Sequence, residues 1–192
     1  MTNLENFKQE ERTIEPSKVN LYAILYALPF MLFFSWIYWA KWGDFQPGKQ
    51  PLIVYIGAFA VLLIGSAFHE LIHGITWSMF TKQGMKSMKF GVLWKALMPY
   101  CHCKEPLSVK GYMIGAVMPA VILGFTPSIL AIILGNPTLM VFGVIFTLTA
   151  GGDFMMLDIL RKEPKENLVL DHPSKVGCYI YRPLNGELDP SV

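Results

Sequence analysis

Charged residues and cysteines are both scarce in this chain. Only 16% of its 192 residues are Asp, Glu, Lys or Arg, and 16 basic residues against 14 acidic ones leave a net charge of +2. The sequence has no basic stripe and no long run of one sign, so we expect no nucleic-acid partner. Three cysteines are too few for a disulfide framework, which argues against a disulfide-stapled secreted module.

Apolar blocks take up much of the sequence, in which 53% of the residues are hydrophobic. A helix that crosses a bilayer needs roughly 20 apolar residues. Three blocks have no charged side chain, at 19–40, 51–68 and 111–152, and the last is long enough for two helices divided at the Gly135 turn. We therefore predict an all-α integral membrane protein with four transmembrane helices, at 19–40, 51–80, 111–134 and 138–160.

The first block could also be the apolar core of a signal peptide. It follows 18 mostly polar residues, however, and it ends in aromatic residues typical of a membrane interface, namely Trp36, Tyr38, Trp39 and Trp42. Both features favour a membrane anchor over a cleaved leader.

Lysine and arginine are distributed unevenly between the two sides of the predicted helices. The N-terminal tail has three, the loop at 82–110 has six and the C-terminal tail has five, which places 14 on one side and two on the other. Cytoplasmic segments are enriched in these residues. We predict a multi-pass protein of the cell membrane with one membrane domain at 19–160 and two cytoplasmic tails, at 1–18 and 161–192.

The loop between the second and third helices contains a strand-like pattern. From Ser87 to Lys95, apolar residues alternate with polar or small ones, with Leu93 as the exception. We predict a short β-hairpin-like cytoplasmic segment here. Its exposed edge could hold an extended substrate beside the metal by backbone pairing; the alternative is a hairpin that lies on the membrane and has no substrate role.

The motif that carries chemistry is His69-Glu70-Leu71-Ile72-His73. Residues four apart lie on one face of a helix, so both imidazoles can bind one Zn2+ while Glu70 serves as general base for the zinc-activated water. Ionisable side chains in an otherwise uncharged apolar helix indicate function. The alternative is a polar patch at the helix end, hydrogen-bonded to backbone or to lipid headgroups.

A catalytic zinc usually has three protein ligands, and depth in the membrane favours Asp153 as the third. His69 and His73 lie about 27–33 Å along the second helix and Asp153 about 22 Å along the fourth, at 1.5 Å per residue. Asp153 also follows Ala150-Gly151-Gly152, where missing side chains permit close approach. Its alternative role is a polar contact between helices or a position at a helix terminus. Asp158, His102 and His172 remain other candidates, and Asp158 beside Arg161 and Lys162 fits an interfacial ion pair better.

Two further motifs lie outside the predicted helices. Cys101-His102-Cys103 offers three potential ligands, but consecutive positions do not readily surround one tetrahedral ion. We favour a structural turn near the membrane, and transient metal delivery or redox sensing remain open. Asp171-His172-Pro173 is typical of an ordinary polar turn.

Four segments together resemble the putative zincin peptidase family, first catalogued as a domain of unknown function in bacteria. They are 68–74, 100–107, 150–153 and 171–177, and the resemblance covers about 53–181. More distantly, the chain is similar to the site-2 proteases, which have HExxH on one transmembrane helix and an Asp ligand on a later one. This resemblance implies zinc bound by His69, His73 and Asp153, although Phe154 stands where site-2 proteases have glycine.

The leading hypothesis is a zinc metalloendopeptidase of the cell membrane. We expect it to hydrolyse a peptide bond of a membrane-associated protein near the cytoplasmic face, with the lipid bilayer and a membrane-protein or peptide substrate as its partners. The alternative is a catalytically inactive scaffold or metal-handling protein that retains the zinc site. A soluble-type zincin attached to a membrane is disfavoured, because the sequence has no soluble catalytic lobe.

Overall fold

The computed structural model describes residues 6–43, 51–94 and 98–184. Lys95 of the predicted strand and the ends of both tails, 1–5 and 185–192, therefore lie outside the described residues. The first two long helices are α1 (Pro16–Trp42) and α2 (Leu52–Ser78), of 27 residues each. Both expose large apolar side chains on several sides, as a helix surrounded by lipid does.

The third long helix widens in its middle. It comprises α3 (Val109–Pro119), a π-helical segment (Ala120–Phe125) and α4 (Thr126–Leu134). Pro119 and Pro127 flank the π-helical segment, and a proline lacks the N–H that a regular α-helical turn requires. The helix ends at Gly135, whose positive φ of 68° is favourable for glycine, so the turn predicted here is present.

The predicted fourth helix is a bent pair. α5 (Pro137–Thr149) and α6 (Gly151–Leu160) meet at Ala150 with an angle of 45°. At Gly151 the backbone of α6 packs directly on α1, since a Cβ there would lie only 2.1 Å from the Ala23 carbonyl oxygen. The small residues before Asp153 therefore permit the close helix approach that the sequence predicts.

The described residues contain three helices long and apolar enough to cross a membrane, and a fourth if α5 and α6 count as one bent span. The prediction of helices long and apolar enough to cross a membrane is confirmed, and the protein is mostly helical. The bend in the fourth predicted helix was not foreseen, because hydropathy registers the length of an apolar block and not a bend inside it.

A hairpin separates α2 from α3. After a short 3-10 turn (Gly84–Ser87), β2 (Met88–Leu93) pairs antiparallel with β3 (Met98–Cys103). The strands lie within the loop where the alternating pattern predicts them. Cys101-His102-Cys103 forms the end of β3, so the turn expected for this motif is wrong.

The two tails and the two residues before α3 form a sheet that the sequence did not predict. Its four antiparallel strands, in spatial order, are β1 (Phe7–Thr13), β6 (Gly177–Pro183), β5 (Leu168–Asp171) and β4 (Leu107–Ser108). The predicted all-α class is therefore wrong in that it leaves out this sheet. The strongly polar β1 has no apolar alternation to reveal it, and it forms a strand because β6 supplies its backbone partners.

The sheet and the hairpin pack on the ends of α2, α3 and α6. Their buried side chains form one continuous core with those helices, whose members include Trp77, Cys103, Leu107, Val109, Tyr112, Leu160, Val169, Cys178 and Ile180. Segments that carry most of the basic residues are thereby gathered at one end of the molecule. The same packing brings the hairpin against the histidine-bearing part of α2.

Candidate metal centre

His69 and His73 face each other across one turn of α2. Their side chains lie on the same face of the helix because they are four residues apart. The Nε2 atoms are 3.2 Å apart, and the two residues are only 6% and 4% exposed. The helix therefore directs two imidazole nitrogens toward one buried point.

Asp153 reaches the same point from the first turn of α6. Its Oδ2 lies 3.1 Å from Nε2 of His69, and its Oδ1 lies 3.2 Å from Nε2 of His73. These contacts bring the first turn of α6 to α2. Among the described residues, His69, His73 and Asp153 are the single group of three or more His, Cys, Asp or Glu residues whose ligand atoms all lie within 4.8 Å of one another.

The spacing and chemistry of this group fit a zinc ion. Two ligands on a tetrahedral zinc, each about 2.0–2.2 Å from the metal, lie about 3.3 Å apart, close to the separations observed here. Nδ1 of His73 is 2.9 Å from the carbonyl oxygen of Gly115, a contact in which Nδ1 is the donor. In the neutral ring Nε2 then carries a lone pair, the form that a metal ligand requires.

The ring of His73 is also held by an aromatic stack. Trp77 stacks on its ring at 4.8 Å between centroids and on Tyr112 at 5.2 Å. A Cβ at Gly115 would lie 2.1 Å from the Trp77 ring, so glycine is what lets α3 approach this closely. The Trp77 indole N–H also donates to the Tyr112 carbonyl oxygen at 3.0 Å.

Glu70 is not one of the three converging side chains and contacts the hairpin instead. Its Oε2 accepts a 2.7 Å hydrogen bond from the backbone N–H of Cys101 in β3. Glu70 is therefore placed beside the histidines and held by a separate partner, as a general base that is not a ligand needs to be. Its catalytic role stays a prediction.

The hairpin approaches α2 closely at Gly74, the residue after His73. A Cβ at this position would lie 2.3 Å from the Phe90 ring of β2 and 3.3 Å from Sγ of Cys101. The hairpin therefore packs against the stretch of α2 that carries Glu70 and His73. The sequence predicts a strand beside the metal, but its pattern does not reveal the glycine that makes this contact possible.

The other candidates for third ligand lie elsewhere. Asp158 accepts a hydrogen bond from the Tyr26 hydroxyl and pairs with Arg161, in agreement with the interfacial ion pair expected for it. His102 lies 3.7 Å from Asp171, and His172 lies 3.5 Å from Glu11 in the sheet. None of the three belongs to the group around His69.

Asp171 is a site residue that the sequence analysis missed. Its Oδ1 accepts a 2.7 Å hydrogen bond from the Tyr112 hydroxyl, and its Oδ2 accepts one of 3.1 Å from the N–H of Cys103. Burial raises the pKa of this carboxyl, an effect that these two hydrogen bonds oppose. The only available signal was the position of Asp171 at the start of a motif that was interpreted as an ordinary turn.

The cysteines do not form a second metal site within the described part of the chain. Cys101, Cys103 and Cys178 are all free thiols, and no group with metal-ligand spacing includes them. Burial raises the pKa of Cys103 and of Cys178 to about 12, so both are protonated at neutral pH. A protonated thiol is a poor metal ligand and a poor nucleophile.

Comparison with known families assigns the chain. The family model described as "Putative zincin peptidase" matches residues 61–168. The chain belongs to this family. The match includes both histidines, Glu70 and Asp153, and it confirms the family resemblance noted from the sequence. No curated protein and no solved structure matches the chain.

Proposed function

We propose that this member of the zincin peptidase family is a zinc endopeptidase that cleaves a membrane-associated protein near the cytoplasmic face. The observation that carries the proposal is the convergence of His69, His73 and Asp153 on one point, with Glu70 beside it. Two imidazoles and one carboxylate are a ligand set that catalytic zinc sites use, and they leave a fourth position open.

The residues around the site divide the chemistry. His69, His73 and Asp153 would hold the zinc, which when bound activates water and polarises a carbonyl group. Glu70 takes the proton from the attacking water and passes it to the leaving amine. The N–H of Cys101 keeps the Glu70 carboxylate oriented in the absence of substrate.

The hairpin supplies a surface for an extended substrate. In the proposed complex the substrate pairs with the outer edge of β2, which has no strand partner among the described residues. Phe90 of β2 contacts α2 at Gly74, so this strand lies near the site. A peptide bond must leave its helix before it can be hydrolysed, and backbone pairing holds it in the extended form.

The cytoplasmic orientation follows from where the basic segments lie. β1 and β6 pair with each other, and the backbone N–H of Cys103 in the hairpin donates a hydrogen bond to Asp171 of β5. Both tails and the hairpin therefore occupy one end of the protein. The two tails and the loop at 82–110, which contains the hairpin, have 14 of the 16 basic residues. The positive-inside rule supports a cytoplasmic position for this end.

The experiment compares membranes from cells that express the wild type, Glu70→Gln or a control variant, Glu15→Gln. Glu15 pairs with Lys18 on the surface, far along the chain from the site, so its change tests the loss of an exposed carboxylate. New protein N-termini are identified by mass spectrometry, and zinc is measured in each purified protein.

We expect wild type and Glu15→Gln to produce the same new N-termini, and Glu70→Gln to produce none while it keeps its zinc. Identical N-termini in all three membranes would overturn the proposed protease and favour a metal-binding scaffold. Absence of zinc from purified wild type, with no uptake on reconstitution, would overturn the metal site itself.

A further inference from the structure

The two edges of the hairpin are occupied differently. Lys104 N–H donates to the Ser87 carbonyl oxygen, and hydrogen-bonded pairs alternate in an antiparallel ladder. The pairs Met88–Cys103 and Phe90–Cys101 are therefore non-hydrogen-bonded pairs of the ladder. The backbone N–H and C=O groups of Cys101 and Cys103 thus face away from β2. The outer edge of β3 therefore presents two successive N–H groups toward the body of the protein.

Both of these N–H groups donate hydrogen bonds to side-chain carboxylates and not to the backbone of another strand. Cys101 N–H donates to Glu70 at 2.7 Å, and Cys103 N–H donates to Asp171 at 3.1 Å. One carboxylate belongs to α2 and the other to β5. The position of β3 is thus fixed from two sides by side-chain acceptors.

Asp171 is in turn fixed by α3. Its second oxygen accepts the hydroxyl proton of Tyr112 at 2.7 Å, and the Tyr112 ring stacks on Trp77, which stacks on His73. A continuous set of contacts therefore connects a proposed zinc ligand to the strand that holds the proposed base. A shift of β3 would change where Glu70 is held without touching the ligands.

We propose that Asp171, braced by Tyr112, is a positioning residue that holds β3 so that the Cys101 N–H stays at Glu70. The inference rests on the proposed function, because it assigns Glu70 the role of base. Asp171 itself touches neither the three converging side chains nor Glu70, so its effect on catalysis passes through the strand.

The chain offers a matched set of variants. Asp171→Ala removes both hydrogen bonds. Asp171→Asn keeps them, because its amide oxygen can accept from Cys103 and its amide N–H can donate to the Tyr112 hydroxyl, which both donates and accepts. Tyr26→Phe is the control for Tyr112→Phe, since Tyr26 makes the same kind of bond to Asp158 between α1 and α6.

The first measurement needs no activity. Maleimide labelling of each cysteine is followed by mass spectrometry, because Cys103 is only 1% exposed and Cys178 is fully buried in the sheet. We expect labelling of Cys103 to accelerate at least about 10-fold in Asp171→Ala, with Cys178 unchanged and Asp171→Asn like the wild type. Tyr112→Phe should fall between them, and Tyr26→Phe should have no effect.

The second measurement follows hydrolysis of a synthetic peptide that spans the bond most strongly cleaved in the membrane experiment. We expect kcat of Asp171→Ala to fall about 10- to 100-fold, as it does when a supporting residue is removed, while KM stays within about twofold and zinc content is unchanged. Asp171→Asn should restore most of kcat.

The outcomes separate the two proposals. Slow Cys103 labelling in Asp171→Ala would overturn the positioning role whatever the activity. Fast labelling with unchanged kcat would also overturn it, since β3 would then move without consequence for Glu70. Labelling of Cys178 together with loss of zinc would assign Asp171 a merely structural role. Failure of wild type to cleave any protein in the membrane experiment would instead overturn the proposed function.

Discussion

Two largely buried aspartates, Asp153 and Asp171, differ in the atoms that contact their carboxylates. Asp171 is bonded by a hydroxyl and a backbone N–H, and each of these brings its own proton. Asp153 faces the Nε2 atoms of two imidazoles, one of which already has its proton directed at Gly115. The carboxylate is the same in both places, so the partner atoms decide which aspartate can serve as a metal ligand.

The largest predicted effect separates these two aspartates by metal content. Asp153→Ala removes a ligand and should lower zinc affinity by at least about 100-fold, whereas Asp171→Ala should bind zinc like the wild type. Competition with a chelator on the purified proteins measures both affinities. An equal loss of zinc affinity in the two variants would contradict the assignment of Asp153, and not Asp171, as the ligand.

A second prediction tests the contact that joins the two aspartate sites. Gly115→Ala places a methyl group where the Trp77 ring lies, and Trp77 stacks on both His73 and Tyr112. We expect a loss of about 1–3 kcal/mol in unfolding free energy, as for other overpacked sites, together with weaker zinc binding. Unfolding is followed in detergent as denaturant is added.

Gly57→Ala is the control for this change, because a Cβ at Gly57 meets nothing within 4 Å. It makes the same substitution in a membrane helix without a clash. If both variants were equally stable, the close approach of α2 and α3 at Gly115 would not be required for either aspartate site.

A third prediction distinguishes the outer edge of β2 from the edge of β3 that Asp171 holds. Val92→Pro removes a backbone N–H that does not bond to β3, because the backbone groups of residues 88, 90 and 92 face away from β3. In the proposed complex this N–H pairs with substrate, so KM for the cleaved peptide should rise about fivefold while kcat changes little. Val92→Ala is the control, and an equal KM in the two variants would exclude pairing at this position.

The predictable part of the site is the part built from short sequence spacing. His69, Glu70 and His73 follow from one helical turn, and Asp153 follows from its depth in a later apolar block. Asp171 could not be found in this way. Its partners Tyr112 and Cys103 are 59 and 68 residues distant in sequence and come from a helix and a hairpin whose packing no local pattern encodes.

The fold also divides into elements that local sequence predicts and elements that depend on distant contacts. Apolar length reveals α1, α2 and the α3–α4 helix, since lipid makes hydropathy the dominant signal. The bend at Ala150 depends on contact between Gly151 and α1, and β1 depends on β6 at the other end of the chain. Both are tertiary effects that override local sequence preference.

The smallest predicted effect concerns a third acidic site, in the sheet, where two carboxylates pair with an arginine. Glu10 of β1 and Glu163 both bind Arg182 of β6, and these hydrogen bonds hold the pKa of each carboxyl below its usual 4.5. A lowered pKa stabilises the folded state above pH 4.5, and the contribution is lost as the pH falls through the lowered values. Hydrogen exchange in β1, corrected for intrinsic rates, should therefore be faster at pH 3.5 than at pH 6, by no more than about fivefold because exposed ion pairs are weak. Arg182→Gln should weaken this pH dependence, and an undiminished dependence in that variant would assign it to other groups.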